Sequence, residues 1–233
     1  MNINGVLIID KPTGWTSFDV VAKLRGALKI KRIGHGGTLD PMATGVLPVF
    51  IGKATKKVST STDADKEYIA GLKLGVVTDT QDITGNILSE NEVSVTFADL
   101  QAILPQFTGP QKQIPPMYSA KKQGGKKLYE LARKGIEVER EPRDIEIKEL
   151  ELTGGRGFVN SALLRVKCSK GTYIRTLCHD IGAVLGCGAA MSSLHRTMSG
   201  EYKIEDAHPL DAVLSAIDKG DALKFMFEVF SDE

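Results

Sequence analysis

The sequence predicts an α+β fold around a mostly antiparallel sheet, and three observations carry that prediction. Strand-like segments predominate and do not alternate strictly with helical ones. Two long runs, RDIEIKELEL (143–152) and FVNSALLRVKCS (158–169), follow one another across a Gly-Gly-Arg-Gly turn. Polar and apolar residues alternate cleanly in the first, which makes the pair antiparallel partners with one solvated face. Helical periodicity is confined to short segments with caps or stops. The 233 residues amount to one full domain and a small appendage at ~150 residues per domain.

In chain order, GVLIID (5–10) is a buried strand ended by Lys11-Pro12. TSFDVVAKLRGALK (16–29) is a helix that Thr16 or Ser17 can cap, with Phe18, Val21, Leu24 and Leu28 at helical spacing. A Gly-rich loop, GHGGTLDPMATG, spans 34–45, and VLPVFI (46–51) resumes a buried, extended pattern. Lys66–Leu74 and Gly85–Leu88 are expected as two strands of one hairpin joined through the acidic turn TDTQD. TFADLQAILPQF (96–107) is a capped helix stopped at Pro105. The Pro- and Lys-rich stretch 111–125 has no core-forming period and is expected as an excursion from the fold. KKLYELARKG then makes a short helix with Gly135 as its stop. IRTLCHDIGAVLG (174–186) is an amphipathic helix ended by Gly186, and the tail from about 205 is helical and acidic.

No apolar run approaches the ~18 residues of a membrane span, and GVLIID meets Asp10 and Lys11 too soon for a signal peptide. A cytoplasmic protein is expected. Cys168, Cys178 and Cys187 are odd in number and include no C-x-x-C pair, and His35, His179, His195 and His208 lack metal-ligand spacing. Neither a disulfide scaffold nor a bound metal is therefore expected. The net charge of +1 conceals a basic body, +7 over residues 1–200, and an acidic tail, −6 over 201–233. Residues 112–134 are locally +6 and 11–34 locally +5, and Lys53, Lys56 and Lys57 form a third basic group. One such run is usually a solvated face. Three of them, interleaved with Tyr118 and Tyr129, also suit a polyanion held by phosphate attraction and stacking.

A nucleotide cradle does not fit the glycines. Gly52-Lys53 is followed by Ala54, with Leu47 where a P-loop needs its first glycine, and Asp40-Pro41 stands where a phosphate-capping helix would begin. What the loop offers is a carboxylate, Asp40, on backbone freed by Gly36, Gly37 and Gly45 and stiffened by Pro41. On spacing alone an ordinary Asp-Pro turn explains it as well.

The wording of the segments goes further. GVLIIDKPTGWTS (5–17), GHGGTLDPMATGVLP (34–48), DKEYIAGLKLG (65–75), IPPMYSAKKQGGKKLYELARKG (114–135) and CSKGTYIRTLCHDIGAVLGCGA (168–189) closely resemble, in order, the motifs of the bacterial tRNA pseudouridine synthase B family. The resemblance implies isomerisation of uridine 55 in the tRNA T-loop to pseudouridine, without cofactor or metal, by a protein expected to act as a monomer. It implies a mixed sheet flanked by helices, with a basic insertion, the thumb, at about 112–140. Many family members continue into an RNA-binding PUA domain. About 30 residues follow Tyr202, so the expected division is a catalytic domain over 1–200 and a short acidic helical segment over 201–233, with no full PUA domain.

Carried over residue by residue, Asp40 matches the family's essential aspartate and Arg175 the arginine that pairs with it. Tyr68 matches the tyrosine that stacks on the target uracil and serves as base or relay. His35 matches a histidine that contacts RNA, Tyr173 and Leu194 match positions that line the uracil pocket, and Lys11-Pro12 matches a support motif beside it. Taken singly, each has a plainer explanation, since Tyr68 could be a sheet aromatic, Arg175 a surface arginine, and Tyr173 and Leu194 core residues. An RNA-binding module without turnover would need only the basic patches.

Overall fold

The computed structural model describes residues 3–119, 121–153, 157, 159–221 and 223–230. Its elements begin with β1 (Gly5–Lys11), α1 (Ser17–Leu28), β2 (Ile33–His35), β3 (Thr44–Ile51), α2 (Val58–Asp63) and β4 (Lys66–Leu74). There follow β5 (Val76–Thr78), β6 (Ile87–Glu90), α3 (Phe97–Ile103), β7 (Gly109–Gln113), β8 (Lys122–Gln123), β9 (Lys126–Lys127) and α4 (Leu128–Ala132). The remainder is β10 (Arg143–Thr153), β11 (Ser161–Cys168), α5 (Ile174–Val184), β12 (Ala189–Ser199), β13 (Tyr202–Lys203), β14 (His208–Pro209), α6 (Leu210–Asp218) and β15 (Met226–Val229). This is the α+β class the sequence predicts. The chain forms two compact units, Met1–Ile69 with Leu194–Glu233, and Ala70–Ser193, and passes between them within β4 and β12.

In the first unit β1 pairs antiparallel with β3, Ile8 opposite Pro48, and its other edge takes β14 in parallel and β15 antiparallel. The unbroken apolar run of β1 follows from burial on both faces. Leu7 and Ile9 join Leu47, Val49 and Ile51 against Val20, Val21 and Leu24 of α1 and Leu210 and Val213 of α6. Val6 and Ile8 point the other way, toward Val46, Phe50, Ala54 and Tyr202. Thr16 caps α1 by accepting from the Asp19 backbone while the Asp19 carboxylate accepts from the Thr16 N–H, a reciprocal box that fixes where the helix starts.

In the second unit β10 pairs antiparallel with both β11 and β7. Ile145, Ile147, Leu164, Val166 and Cys168 are buried. The opposite face carries a charge ladder in which Arg165 and Lys167 of β11 answer Glu149 and Glu151 of β10. That is the one-sided alternation read from the sequence. The Gly-Gly-Arg part of the joining turn, with Phe158, lies outside the described residues.

Several elements differ from expectation. The hairpin is β5–β6, Val76 opposite Glu90, and not Lys66–Leu74 with Gly85–Leu88. β4 is a core strand with Tyr68, Ala70, Leu72 and Leu74 buried, whereas β6 is exposed throughout, and Gly75 at φ +79° separates β4 from β5. The inward stripe of α1 is Ser17, Val20, Val21 and Leu24, and Phe18 is 64% exposed. The helix at 97–103 does not stop at Pro105 but tightens into a 3₁₀ turn, Leu104–Phe107, whose first turn tolerates the proline. Stretch 111–125 starts inside β7, and Gln113, Pro115, Pro116, Met117 and Ser119 are buried, so the excursion begins later than its composition suggests. The Gly-rich loop likewise begins inside β2. The acidic tail adds three short strands to its helix, β13 on β12 and β14 and β15 on β1.

Candidate active site

The loop between β2 and β3 is held on both sides of Asp40. Ser17, buried at the start of α1, accepts from the Leu39 N–H at 2.9 Å and donates to the Leu39 carbonyl at 3.3 Å. The Pro41 carbonyl accepts from the Gly14 N–H at 2.8 Å and from the Lys11 ammonium at 3.3 Å, and Thr13 donates to the Met42 carbonyl. The Ala43 N–H returns to the Asp40 carbonyl at 3.0 Å and closes a tight turn. Glycine is required at position 45, where φ is +98° and a Cβ would stand 2.3 Å from the Arg196 carbonyl oxygen. Its N–H donates to Asp10.

Two buried cations lie beside this loop. Lys11, fully buried, spends its three N–H bonds on the carbonyls of Pro12, Trp15 and Pro41, at 2.8, 2.6 and 3.3 Å. Burial pushes its pKa down to about 8, and the Asp40 carboxylate opposes that shift. Arg196, 1% exposed, donates from Nε to the Val46 carbonyl at 2.7 Å and from Nη2 to the Gly37 carbonyl at 3.2 Å. The same guanidinium lies near enough to the hydroxyl of Tyr68, itself 8% exposed on β4, for the two to interact electrostatically. His35, partly buried at the end of β2, is held below the usual imidazole range first by burial and then by the Arg196 charge, while a hydrogen bond to the Gly37 backbone opposes this. Leu194, 8% exposed, sits two residues before Arg196 on β12.

Lys11, His35, Asp40, Tyr68 and Leu194 therefore all belong to the first unit, and the first four share charge or hydrogen-bond partners through Arg196 and Lys11. Arg175 and Tyr173 belong to the second unit. Arg175 is 4% exposed at the start of α5. It donates to the Thr80 carbonyl at 3.0 Å and the Tyr118 carbonyl at 2.8 Å, and stands 3.7 Å from the Asp82 carboxylate. A cation at a helix N-terminus is disfavoured unless a carboxylate answers it. In this unit Asp82, 5% exposed and fixed by Thr80 and Thr84, supplies that charge. Buried Gln113 clamps the backbone of Tyr173, accepting from its N–H and donating to its carbonyl.

The sequence reading missed Arg196, Asp82, Ser17 and Gln113. Arg196 carries a signal in the sequence, because residues two apart on a strand share a face and Arg196 follows Leu194 at that spacing. Asp82 stood inside TDTQD, which read as a turn. Among the described residues no cluster of three or more His, Cys, Asp or Glu is placed to hold a metal ion, and no helix is long and apolar enough to cross a membrane.

Comparison with known proteins gives this arrangement its relatives. A family model described as TruB family pseudouridylate synthase (N terminal domain) matches residues 25–174, and one described as tRNA pseudouridylate synthase B C-terminal domain matches 175–226. The chain is 51% identical to tRNA pseudouridine synthase B of Opitutus terrae, covering 91% of this chain and 87% of that protein. It is also 51% identical to the protein of the same name from Azoarcus sp., covering 91% and 70% respectively. Among solved structures, a chain in the crystal structure of a Cbf5-Nop10-Gar1 complex aligns with TM-score 0.72 and 35% identity over 93% of this chain. A chain in an H/ACA RNP bound to a substrate RNA containing 2′-deoxyuridine aligns with TM-score 0.70 and 31% identity over 95%. This chain spans 56% of the length of each of those two.

Proposed function

We propose, given that the chain belongs to the TruB family of pseudouridylate synthases, that it isomerises uridine 55 in the T-loop of tRNA to pseudouridine. The reaction breaks N1–C1′, turns the uracil and joins C5 to C1′, so atoms are neither gained nor lost and the chemistry calls for no redox cofactor, metal or energy source. One ionised carboxylate that adds to or deprotonates the nucleoside suffices, and that is the role of Asp40. Tyr68 stacks on the uracil and takes the C5 proton. Arg175 is the guanidinium that keeps Asp40 ionised. His35 contacts the RNA, and Tyr173 and Leu194 line the uracil pocket. Access to C5 and C1′ requires the uridine to leave its stack, at a cost of a few kcal/mol, which phosphate contacts of the basic body and thumb offset. The protein acts as a monomer on tRNA in the cytoplasm.

The observation that carries this reading is the bracing of Asp40. Residues 39, 41 and 42 are tied to β1, to the turn after it and to the first residue of α1, which is how a reacting group is aimed and not how an ordinary exposed turn is built. The test is tritium release from a T-arm hairpin carrying uridine labelled at C5. Release from the labelled position 55, and none when that position is cytidine, is expected. Binding of the hairpin without release would make the protein an RNA-binding module.

A further inference from the structure

The loop between β11 and α5 delivers Tyr173 and Arg175 to the start of that helix, and it contains a hinge. Gly171 stands at φ +79°, and among the described residues no atom lies within 4 Å of where its Cβ would be, so sterics leave the chain free to turn there. Polar ties hold the loop instead. At one end Ser169 accepts at Oγ from the Glu146 N–H of β10 and gives its own N–H to the Glu146 carbonyl, both at 2.8 Å. At the other, Gln113, 6% exposed at the end of β7, accepts from the Tyr173 N–H at 2.8 Å and donates to the Tyr173 carbonyl at 3.1 Å. The partners fix which end of the amide is oxygen and which is nitrogen, since an N–H needs an acceptor and a carbonyl a donor. The planar amide thus meets residue 173 as the peptide of a neighbouring strand would, on both of its backbone groups at once. The same carbonyl takes the first bond of α5, from the Leu177 N–H at 3.1 Å. Gln113 therefore spends its oxygen and its nitrogen on one residue, at the point where the chain passes from a hinge into a helix.

We propose that Gln113 is a positioning residue for the isomerisation, acting through Tyr173. With φ −99° and ψ 109° of residue 173 held, the direction of its Cα–Cβ bond is held too, and the ring assigned to the uracil pocket keeps one orientation while the base turns. The inference rests on the isomerase reading and deepens it, and Gln113 itself touches no reacting atom. No other side chain of this length offers the pair of bonds. Methionine fills the volume and makes neither, while an ionised glutamate keeps the acceptor and loses the donor.

The test is single-turnover conversion of the T-arm hairpin, at saturation, by wild type, Gln113→Met, Tyr173→Ala and the double variant. Gln113→Met is expected to slow conversion about ten- to a hundredfold, the scale of a displaced pocket group, with hairpin affinity within about threefold. In the Tyr173→Ala background the same change is expected to cost less than about twofold, because the ring it aims is gone. Losses that multiply across the two backgrounds overturn the proposal, as does a folded Gln113→Met protein that converts at the wild-type rate. Gln113→Glu, which keeps the length and one of the two bonds, carries the same comparison if Gln113→Met does not fold. Fluorine resonance of fluorotyrosine-labelled protein gives a readout that needs no turnover. The Tyr173 line, identified by its loss in Tyr173→Phe, is expected to be single and narrow in wild type and broadened or split in Gln113→Glu. An unchanged line overturns the proposal. A wild type whose Tyr173 line responds in this way but which never converts the hairpin would overturn the isomerase reading while upholding the Gln113–Tyr173 clamp.

Discussion

The loop at 36–43 and the stretch at 114–136 are both punctuated by glycine and proline, yet they are secured in different ways. The first is gripped by side chains from outside itself, by Lys11, Thr13 and Ser17 from the chain before it and by Arg196 from β12. The second is tied largely to its own backbone, Ser119 to Met117, Tyr129 to Ser119, Leu128 to Lys121 and Ile136 to Leu131. Arg140 and Arg175 reach it from outside at the Pro115 and Tyr118 carbonyls. Composition does not separate the two regions, whereas the polar side chains aimed at their carbonyls do. The braced loop carries the carboxylate proposed to react. The self-tied stretch carries the lysines that would hold RNA, where attraction matters more than aim.

The contrast breaks most sharply at Gly45. Gly45→Ala forces an L side chain into φ +98° with its Cβ against the Arg196 carbonyl, and a loss of about 3–5 kcal/mol is expected together with loss of turnover. Urea denaturation and tritium release check both. Lys11→Met comes next, because it leaves the carbonyls of Pro12, Trp15 and Pro41 without their donor at about 2–4 kcal/mol. The folded pKa of Lys11, about 8, lies below its unfolded value of 10.5, so above pH 8 the unfolded chain binds the extra proton. The stability contributed by Lys11 therefore rises with pH from about 8 to 10.5, by about 2 kcal/mol at pH 9.5. Urea midpoints of wild type and Lys11→Met at pH 7.5 and 9.5 measure that rise.

Replacing Lys121, Arg133 and Lys134 by glutamine should leave the melting temperature within about 2 °C, raise KM several-fold and flatten the salt dependence by about one unit of slope for each phosphate that is no longer neutralised. Binding that is unchanged across salt contradicts the assigned role of this stretch. The smallest effect is at Thr16. Thr16→Ala removes the cap of α1 for about 1 kcal/mol. Its hydrogen bonds hold the Asp19 carboxyl below the usual range, so that contribution is present above the unfolded pKa near 3.8 and fades as pH falls through the lower folded value. Thermal melts at pH 7 and pH 3 show the difference between wild type and variant shrinking in acid.

How much the sequence disclosed depended on whether the signal was local. The double-faced burial of β1, the alternation of β10 and β11 and the cap of α1 are properties of consecutive residues, and all were readable. The hairpin was misassigned because apolar residues in Lys66–Leu74 and Gly85–Leu88 look alike, while only burial tells that Tyr68, Leu72 and Leu74 sit in the core and Ile87 and Leu88 do not. Asp40 was legible as a carboxylate on a freed backbone, and the motifs around it raised it above a turn. Arg196 and Asp82 were not, because their meaning lies in carbonyls and hydroxyls brought from distant parts of the chain.

The proposed chemistry stands on the Asp40 carboxylate being both necessary and aimed, and the most direct test is single-turnover conversion of a T-arm hairpin by Asp40→Asn beside wild type, with urea denaturation run on both. The result predicted is loss of pseudouridine formation by at least about 10³-fold with an unchanged unfolding midpoint. Conversion at the wild-type rate by a folded Asp40→Asn protein would contradict it.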